Sequence, residues 1–300
     1  MGSCRPGISL ATAQKQNLLR LFVKAQLPSC INIIAKPNHA SWVYPELLCV
    51  DLTAGYGCQP FCHKAYLNCK GPCPQIKTSS PFIIAKQLAS PMRHPDIRRR
   101  LILCEKQKET ISVLDANTRM MQRTIGNDAF TIDVYPGDLN KSLRELLRIL
   151  SRTCSHPRRQ LFGFAYLDPN GFDNIDRRYE ALIEFFNASF TRRFDLLINW
   201  SPTAQKRCNA AFAKKFSYDL AREIEVFQRK IGKSAARFIR VSKSDPHQFS
   251  LVLLTNWNGG NGKKQHPILR ERLWSEPWSK EGQQKLWEQN INRLREATDG

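Results

Sequence analysis

An apolar run that ends in an acid and then two glycines, Leu47-Leu48-Cys49-Val50-Asp51-Leu52-Thr53-Ala54-Gly55-Tyr56-Gly57, has the residue types of a ligand-binding turn. Glycine adopts positive φ and lets the backbone approach a ligand, so Gly55 and Gly57 can shape a loop around a bound group, with Asp51 and Ala54 beside it. About fifty residues later Arg100-Leu101-Ile102-Leu103-Cys104-Glu105 is a second apolar run, and Glu105 is an acid able to accept both hydroxyls of a ribose. Strand, glycine turn, then strand ending in Glu is the layout of a nucleoside-binding α/β unit.

Three further apolar runs end in polar turns. Asp138 and Asn140 lie in Pro136-Gly137-Asp138-Leu139-Asn140, the fourth run delivers Asp168-Pro169-Asn170-Gly171-Phe172, and the fifth ends in Asn199-Trp200-Ser201. In an open parallel sheet, ligands bind outside the carboxyl ends of the strands, so these groups are expected to face one crevice. Each acid taken singly also reads as a strand-end turn or a helix cap. Their recurrence at successive strand ends favours a common site.

The elements needed to hold that crevice are legible in the periodicity. Residues 10 to 28 carry Leu18, Leu21, Phe22 and Ala25 at helical spacing, a leading helix before the first strand. A helix at 81 to 90 follows the glycine turn, and Ile111, Leu114 and Met121 mark the next one. A strand over Ala129 to Tyr135, a helix bearing Leu143, Leu146, Leu147 and Leu150, and a strand over Leu161 to Leu167 come next. Tyr179, Leu182, Ile183 and Phe186 form a helix face before the strand Phe194 to Trp200. A long helical stretch covers 203 to 232, strands cover 236 to 242 and 249 to 257, and an amphipathic helix covers 279 to 296. This alternation predicts an α/β fold: a doubly wound, Rossmann-like, mostly parallel sheet with helices on both faces. The expected organisation is an N-terminal basic helical extension over 1–40, a Rossmann-like domain over 41–260 and a C-terminal helical extension over 261–300.

Between the glycine turn and its delayed helix, residues 58 to 80 are rich in Pro, Gly and Cys and carry no period, which marks an insertion. It holds Cys58, Cys62, Cys69 and Cys73, separated by three, six and three residues. Four thiolates this close suit a tetrahedral zinc site that would fold the insertion, with His63 as an alternative ligand; reduced free thiols are the other reading. The remaining six of the ten cysteines are scattered, and no secretory signal accompanies them, so a disulfide framework is not expected. No apolar stretch approaches the roughly 20 residues of a membrane span, which argues against a membrane protein and for a cytoplasmic one.

The formal net charge is +20, and by successive fifties it runs +4, +6, 0, +1, +7 and +2. The surplus lies before residue 100 and between 201 and 250, around a balanced middle. Such a field favours polyanions, of which nucleic acid is the commonest.

Through Val50-Asp51-Leu52-Thr53-Ala54-Gly55-Tyr56-Gly57, Glu105, Gly137-Asp138 and Leu167-Asp168-Pro169-Asn170-Gly171-Phe172, the chain resembles class I S-adenosylmethionine-dependent methyltransferases. More narrowly it is similar to the three-Cys-motif partner proteins, which share the Asp-Leu-x-Ala-Gly-x-Gly turn, Gly-Asp-x-Asn, Asp-Pro-x-Gly-Phe and an apolar fifth strand ending in Asn. The resemblance covers about 40 to 260 and leaves the acceptor undefined. It implies the methionine part of the cofactor on Gly55 and Gly57, the ribose on Glu105 and the adenine beside Asp138 and Asn140. Asp168-Pro169-Asn170-Gly171-Phe172 is also similar to the tetrapeptide of amino-group methyltransferases acting on adenine, in which an Asp or Asn and a proline carbonyl accept from the target amine. Here Asn170 replaces the second proline, Gly171 replaces the aromatic residue, and Phe172 falls one place late. The resemblance thus implies catalytic roles for Asp168, Pro169 and Phe172, with Phe172, Trp200 or Tyr56 available for stacking a base.

Two functions follow as expectations. One is methyl transfer to nucleic acid, with S-adenosylmethionine as cofactor. The other is a cofactor-fold protein without catalysis that binds nucleic acid or a protein partner in a regulatory or defence role. The sequence sets no oligomeric state.

Overall fold

The computed structural model describes residues 10–55, 57, 79–90, 94, 96–125, 130–153, 159–168, 179–200, 220–241 and 249–256. Seven strands form one sheet in the order β3-β2-β1-β4-β5-β7-β6. They are β1 Val43–Asp51, β2 Arg98–Glu105, β3 Phe130–Pro136, β4 Gln160–Leu167, β5 Asp195–Trp200, β6 Ala235–Val241 and β7 Phe249–Thr255. β1 to β5 pair in parallel, while β7 runs antiparallel to both of its neighbours. The expected doubly wound, mostly parallel Rossmann-like sheet is therefore what the chain forms.

Six helices accompany the sheet among the described residues: α1 Leu10–Ile34, α2 Ser80–Leu88, α3 Lys108–Ile125, α4 Leu139–Thr153, α5 Glu180–Asn187 and α6 Leu220–Lys230. Alternation along the strands sorts them into two layers, because successive side chains point to opposite faces. Leu47, Cys49, Phe162, Phe164 and Leu197 pack with α1, α2 and α3 on one face. Leu48, Val50, Ala165, Leu196 and Ile198 pack with α4, α5 and α6 on the other. Burial on both faces explains the unbroken apolar runs of β1 and β4, which a half-solvated sheet would not require.

α1 is part of this core. Leu19, Phe22, Val23, Leu27, Cys30 and Ile31 are buried against the sheet, and Phe22 meets Phe164 edge to face at 5.0 Å between ring centroids. The buried stripe is rotated from the expected one: Leu21 is exposed, and Leu19 and Val23 take its place. The N-terminal segment over 10–34 thus supplies one of the three helices on its face of the sheet. The cysteine-rich insertion and the C-terminal segment 261–300 lie outside the described residues.

Candidate functional site

The chain leaves β1 outward to β2 and β3, then returns to place β4 and β5 on the other flank, so neighbouring connections diverge at the carboxyl ends of β1 and β4. In open α/β sheets that divergence opens the ligand crevice. Register brings the candidate residues to it. Asp51 pairs with Leu103 on one side and Tyr166 on the other, and Leu167 pairs with Ile198. Glu105, Asp51, Asp168 and Asn199 therefore end four adjacent strands in the order β2, β1, β4, β5.

The glycine turn has the backbone its sequence demands. Gly55 has φ +58° and Gly57 φ +66°, both in the left-handed region where an L side chain is strained. Their surroundings differ. A Cβ on Gly57 would meet Leu114 Cδ1 at 2.9 Å, so this glycine lets the turn sit against α3. A Cβ on Gly55 would meet nothing within 4 Å, so this one faces open space. The Ala54 amide donates to the Cys104 carbonyl, tying the turn to β2.

Asp51 is fully buried beneath this turn. Its Oδ1 accepts from the Thr53 amide at 3.1 Å, and its Oδ2 has no well-formed hydrogen bond among the described residues. Burial pushes its carboxyl up to about 7; the Ser80 hydroxyl, the Thr53 amide and Lys15 pull it down, and the Asp168 charge pushes it up. A fully buried acid whose second oxygen lacks a well-formed hydrogen bond, beside an open glycine turn, suits a ligand that donates hydrogen bonds or carries positive charge.

Glu105 uses one oxygen locally, Oε1 accepting from the Lys106 and Gln107 amides at 2.8 and 2.9 Å. Among the described residues Oε2 takes no hydrogen bond, which leaves it available to a diol. Asp138 and Asn140 are engaged in the structure itself. Asp138 Oδ1 caps α4 by accepting from the Lys141 amide at 2.8 Å, and Asn140 Oδ1 accepts from the Ala181 amide at 3.1 Å, joining α4 to α5.

Asp168 is the most connected residue of the crevice. Its Oδ2 accepts from Lys15 Nζ at 2.6 Å, with the Tyr166 hydroxyl at 3.5 Å, and its Oδ1 accepts from Asn199 Nδ2. Its own amide donates to Thr53 Oγ1 at 2.8 Å, linking the ends of β1 and β4. Period-two alternation puts Asp51, Asp168 and Asn199 on the face covered by α1, and Lys15, in the first half of that helix, closes over the row. Lys15, Ser80 and Tyr166 are site residues that the motifs do not reveal. Asn199 is where the fifth apolar run was expected to end, and it continues the α1-facing alternation of Asp195 and Leu197.

Pro169 and Phe172, the other expected catalytic residues, lie outside the described residues, as do Tyr56 and the proposed zinc ligands Cys58, Cys62, Cys69 and Cys73. Among the described residues no group of three or more His, Cys, Asp or Glu could hold a metal ion, and no helix is long and apolar enough to cross a membrane. A separate cleft of about 480 Å³ opens at the amino-terminal half of β1 to β3, lined by Tyr44, Glu46, Arg98, Arg100 and Asp133. It lies far from the crevice, and its charges meet within it, Arg100 Nε binding Asp133 Oδ2 at 2.5 Å.

No family model matches the chain, and no curated protein matches it in sequence. Solved structures similar to it include a DUF519-family protein from Legionella pneumophila, at 14% identity over 79% of this chain and 85% of that one with a TM-score of 0.41. They also include a human methyltransferase 10 domain containing protein, at 11% identity over 78% and 83% with a TM-score of 0.35. A third is the N-terminal domain of human METTL16 in complex with SAH, at 10% identity over 80% and 71% with a TM-score of 0.33. At these scores the likeness carries no functional argument.

Proposed function

We infer that this chain is an S-adenosylmethionine-dependent methyltransferase acting on a nucleic-acid base. The observation that carries the reading is the pairing of an open, left-handed Gly55 turn with a fully buried Asp51 whose Oδ2 lacks a well-formed hydrogen bond and a Glu105 whose Oε2 takes none among the described residues, all at the switch point of a doubly wound sheet. Gly55 and Gly57 would admit the methionine end of the cofactor, Asp51 would accept from its donor groups, and Glu105 Oε2 would take a ribose hydroxyl. When bound, the cofactor supplies an electrophilic methyl group on a sulfonium. The chain's own task is then alignment of the acceptor, and Asp168 stands on the flank away from the ribose site to perform it. The charge of +20 favours a polyanionic acceptor.

Asp138 and Asn140 support the adenine pocket in this reading through the α4 terminus they fix. Zinc on Cys58, Cys62, Cys69 and Cys73, and kinship with the three-Cys-motif partner proteins, remain part of the proposal. One observation favours a second reading, a cofactor-fold binder without catalysis: Lys15 already occupies Asp168. Calorimetry with S-adenosylhomocysteine, followed by methyl transfer from labelled cofactor to DNA and RNA, separates them. Cofactor binding with transfer supports the enzyme, binding without transfer the second reading, and no binding removes both.

A further inference from the structure

At the amino-terminal edge of the sheet, opposite the crevice, the turns leading into β1 and β5 enclose a cavity of about 180 Å³ between Trp42, His39, Phe162, Arg193, Asp195 and Asn256. That is below the roughly 300 Å³ at which drug-sized ligand sites begin, and it suits a single ring system. Trp42 is held from two sides. His39 donates its Nδ1–H to the Ile33 carbonyl at 3.0 Å, since a carbonyl can only accept, and its ring centroid lies 4.7 Å from that of Trp42. Phe162 meets Trp42 edge-on at 6.0 Å between centroids. The indole is thus a fixed, half-buried aromatic surface in the cavity wall. The same wall holds charges of both signs. The buried Asp195 carboxylate disfavours a phosphate inside, and Arg193 disfavours a cation. A neutral ring with both donors and acceptors is what remains, which describes a nucleobase.

The Arg192-Arg193 turn beside the cavity is fastened through its backbone. Lys233 Nζ, itself buried, donates to the Thr191, Arg192 and Phe194 carbonyls at 3.2, 3.4 and 2.7 Å. Asn256 Nδ2 donates to the Arg192 carbonyl at 3.0 Å. Both arginine side chains stay exposed, as does Lys36 before His39, and none of the three forms an ion pair among the described residues. Lys36 follows α1, where a cation complements the helix dipole, but Arg192 and Arg193 end no α-helix. Cations on a fixed turn beside an aromatic cavity are the elements with which proteins hold single-stranded nucleic acid, phosphates on the charges and a base on the ring. The eight residues of β4, about 25 Å, separate this edge from the crevice.

We propose that the amino-terminal edge of the sheet is a second nucleic-acid site, in which an unpaired base enters the cavity against Trp42 while Lys36, Arg192 and Arg193 hold the phosphates around it. The proposal rests on the nucleic-acid part of the reading above and not on the cofactor. It gives the polymer an anchor remote from the atom to be methylated.

The test is anisotropy of fluorescein-labelled strands on the full chain, comparing oligo-dT with an abasic strand of the same length. Wild type is expected to bind oligo-dT about tenfold more tightly, the worth of one stacked base. Trp42→Leu should bring that ratio close to one, and Trp42→Phe, which keeps a ring, should retain most of it. Arg192→Ala/Arg193→Ala keeps the carbonyls that Lys233 and Asn256 hold. It should weaken both strands alike and lower the slope of log affinity against log salt by about 1.4, at about 0.7 per phosphate contact. Arg20→Ala/Lys24→Ala, on the exposed side of α1, removes the same charge and should leave the slope unchanged. Equal affinity for the two strands, a ratio unchanged in Trp42→Leu or lost equally in Trp42→Phe, or equal slopes for the two double variants overturns the proposal. So does a loss in Arg192→Ala/Arg193→Ala confined to phosphatidylserine vesicles run in parallel. If Trp42→Leu does not fold, the slopes of the surface variants still decide. Calorimetry with S-adenosylhomocysteine on the same preparations reports separately on the cofactor reading, and bound cofactor beside any of these failures sinks only the second site.

Discussion

Replacing Asp51 with Asn should stabilise the protein at alkaline pH while weakening its hold on the cofactor. The side chain keeps its shape, and the Asn Oδ1 can still accept from the Thr53 amide. What disappears is a buried charge. A carboxyl held at about 7 in the fold, against about 4 in the unfolded chain, binds its proton roughly 4 kcal/mol more tightly when folded. Because the folded value is the raised one, the stability it contributes is full below about pH 4 and is lost as pH rises to about 7. Relative to a neutral side chain, the aspartate therefore costs about 1.4 kcal/mol at pH 5 and about 4 kcal/mol at pH 8. Asp168 and Lys15 act on this group with opposite signs, and the Cys104 thiol, itself pushed up to about 12, is too basic to titrate in this window. Urea unfolding of both proteins at pH 5 and pH 8 reads the effect. The stability gap between them should widen by about 2 to 3 kcal/mol over that interval. A gap that does not change with pH would refute the reasoning, since any packing difference between Asn and Asp is pH-independent. S-adenosylhomocysteine titrations of the same two proteins show whether the acid is kept for its ligand.

Glu105→Ala should weaken S-adenosylhomocysteine by about 1 to 3 kcal/mol if Oε2 carries charge-assisted ribose hydrogen bonds, and calorimetry showing unchanged affinity would remove that role. Purified protein should carry about one equivalent of zinc if the four clustered cysteines hold it, with chelation exposing residues 58–80 to protease; metal-free protein whose four thiols alkylate rapidly would exclude the site. Binding to nucleic acid should fall steeply between low and moderate salt through counterion release, and an affinity indifferent to salt would argue against a polyanion partner.

The sheet was legible because parallel strands buried on both faces must be apolar throughout, and the runs at Leu47, Leu101, Leu161 and Leu196 could be little else. The strand ends were legible too, since Asp51, Glu105, Asp168 and Asn199 each break such a run. Their partners were not. Nothing in the spacing of Lys15 distinguishes it from Arg20 or Lys24 on the same helix; what sets it apart is a contact 153 residues away. Asp138 and Asn140 illustrate the converse. They have the residue types of a ligand turn, and the structure spends Asp138 on the α4 cap and Asn140 on the α5 amide. On α1 the expected Leu18 and Phe22 are buried, but Leu21 is exposed and Leu19 buried, because the two leucines are equally apolar and only the sheet beneath decides between them.

Among the described residues two polar side chains of α1, Gln26 and Lys15, reach strand acids with unequal strength, and the inequality bears on how the crevice admits a ligand. Toward its carboxyl end Gln26 Nε2 donates to Asp195 Oδ2 at 2.6 Å, with both residues buried. A buried hydrogen bond to a carboxylate there is worth about 1.5 to 3 kcal/mol. At the other end the Lys15 and Asp168 side chains keep 21% and 28% of their surface exposed, so solvent screens the pair and its release costs about 1 kcal/mol or less. Eleven residues, about 16 Å of helix, separate the two points. A ligand competing with α1 for Asp168 therefore meets the weaker of these two fastenings, and the Lys15 side chain can swing away while Leu18, Leu19, Phe22 and Gln26 stay packed. The crevice can thus open at the strand ends without disturbing the core that holds Asp51, Asp168 and Asn199 in line.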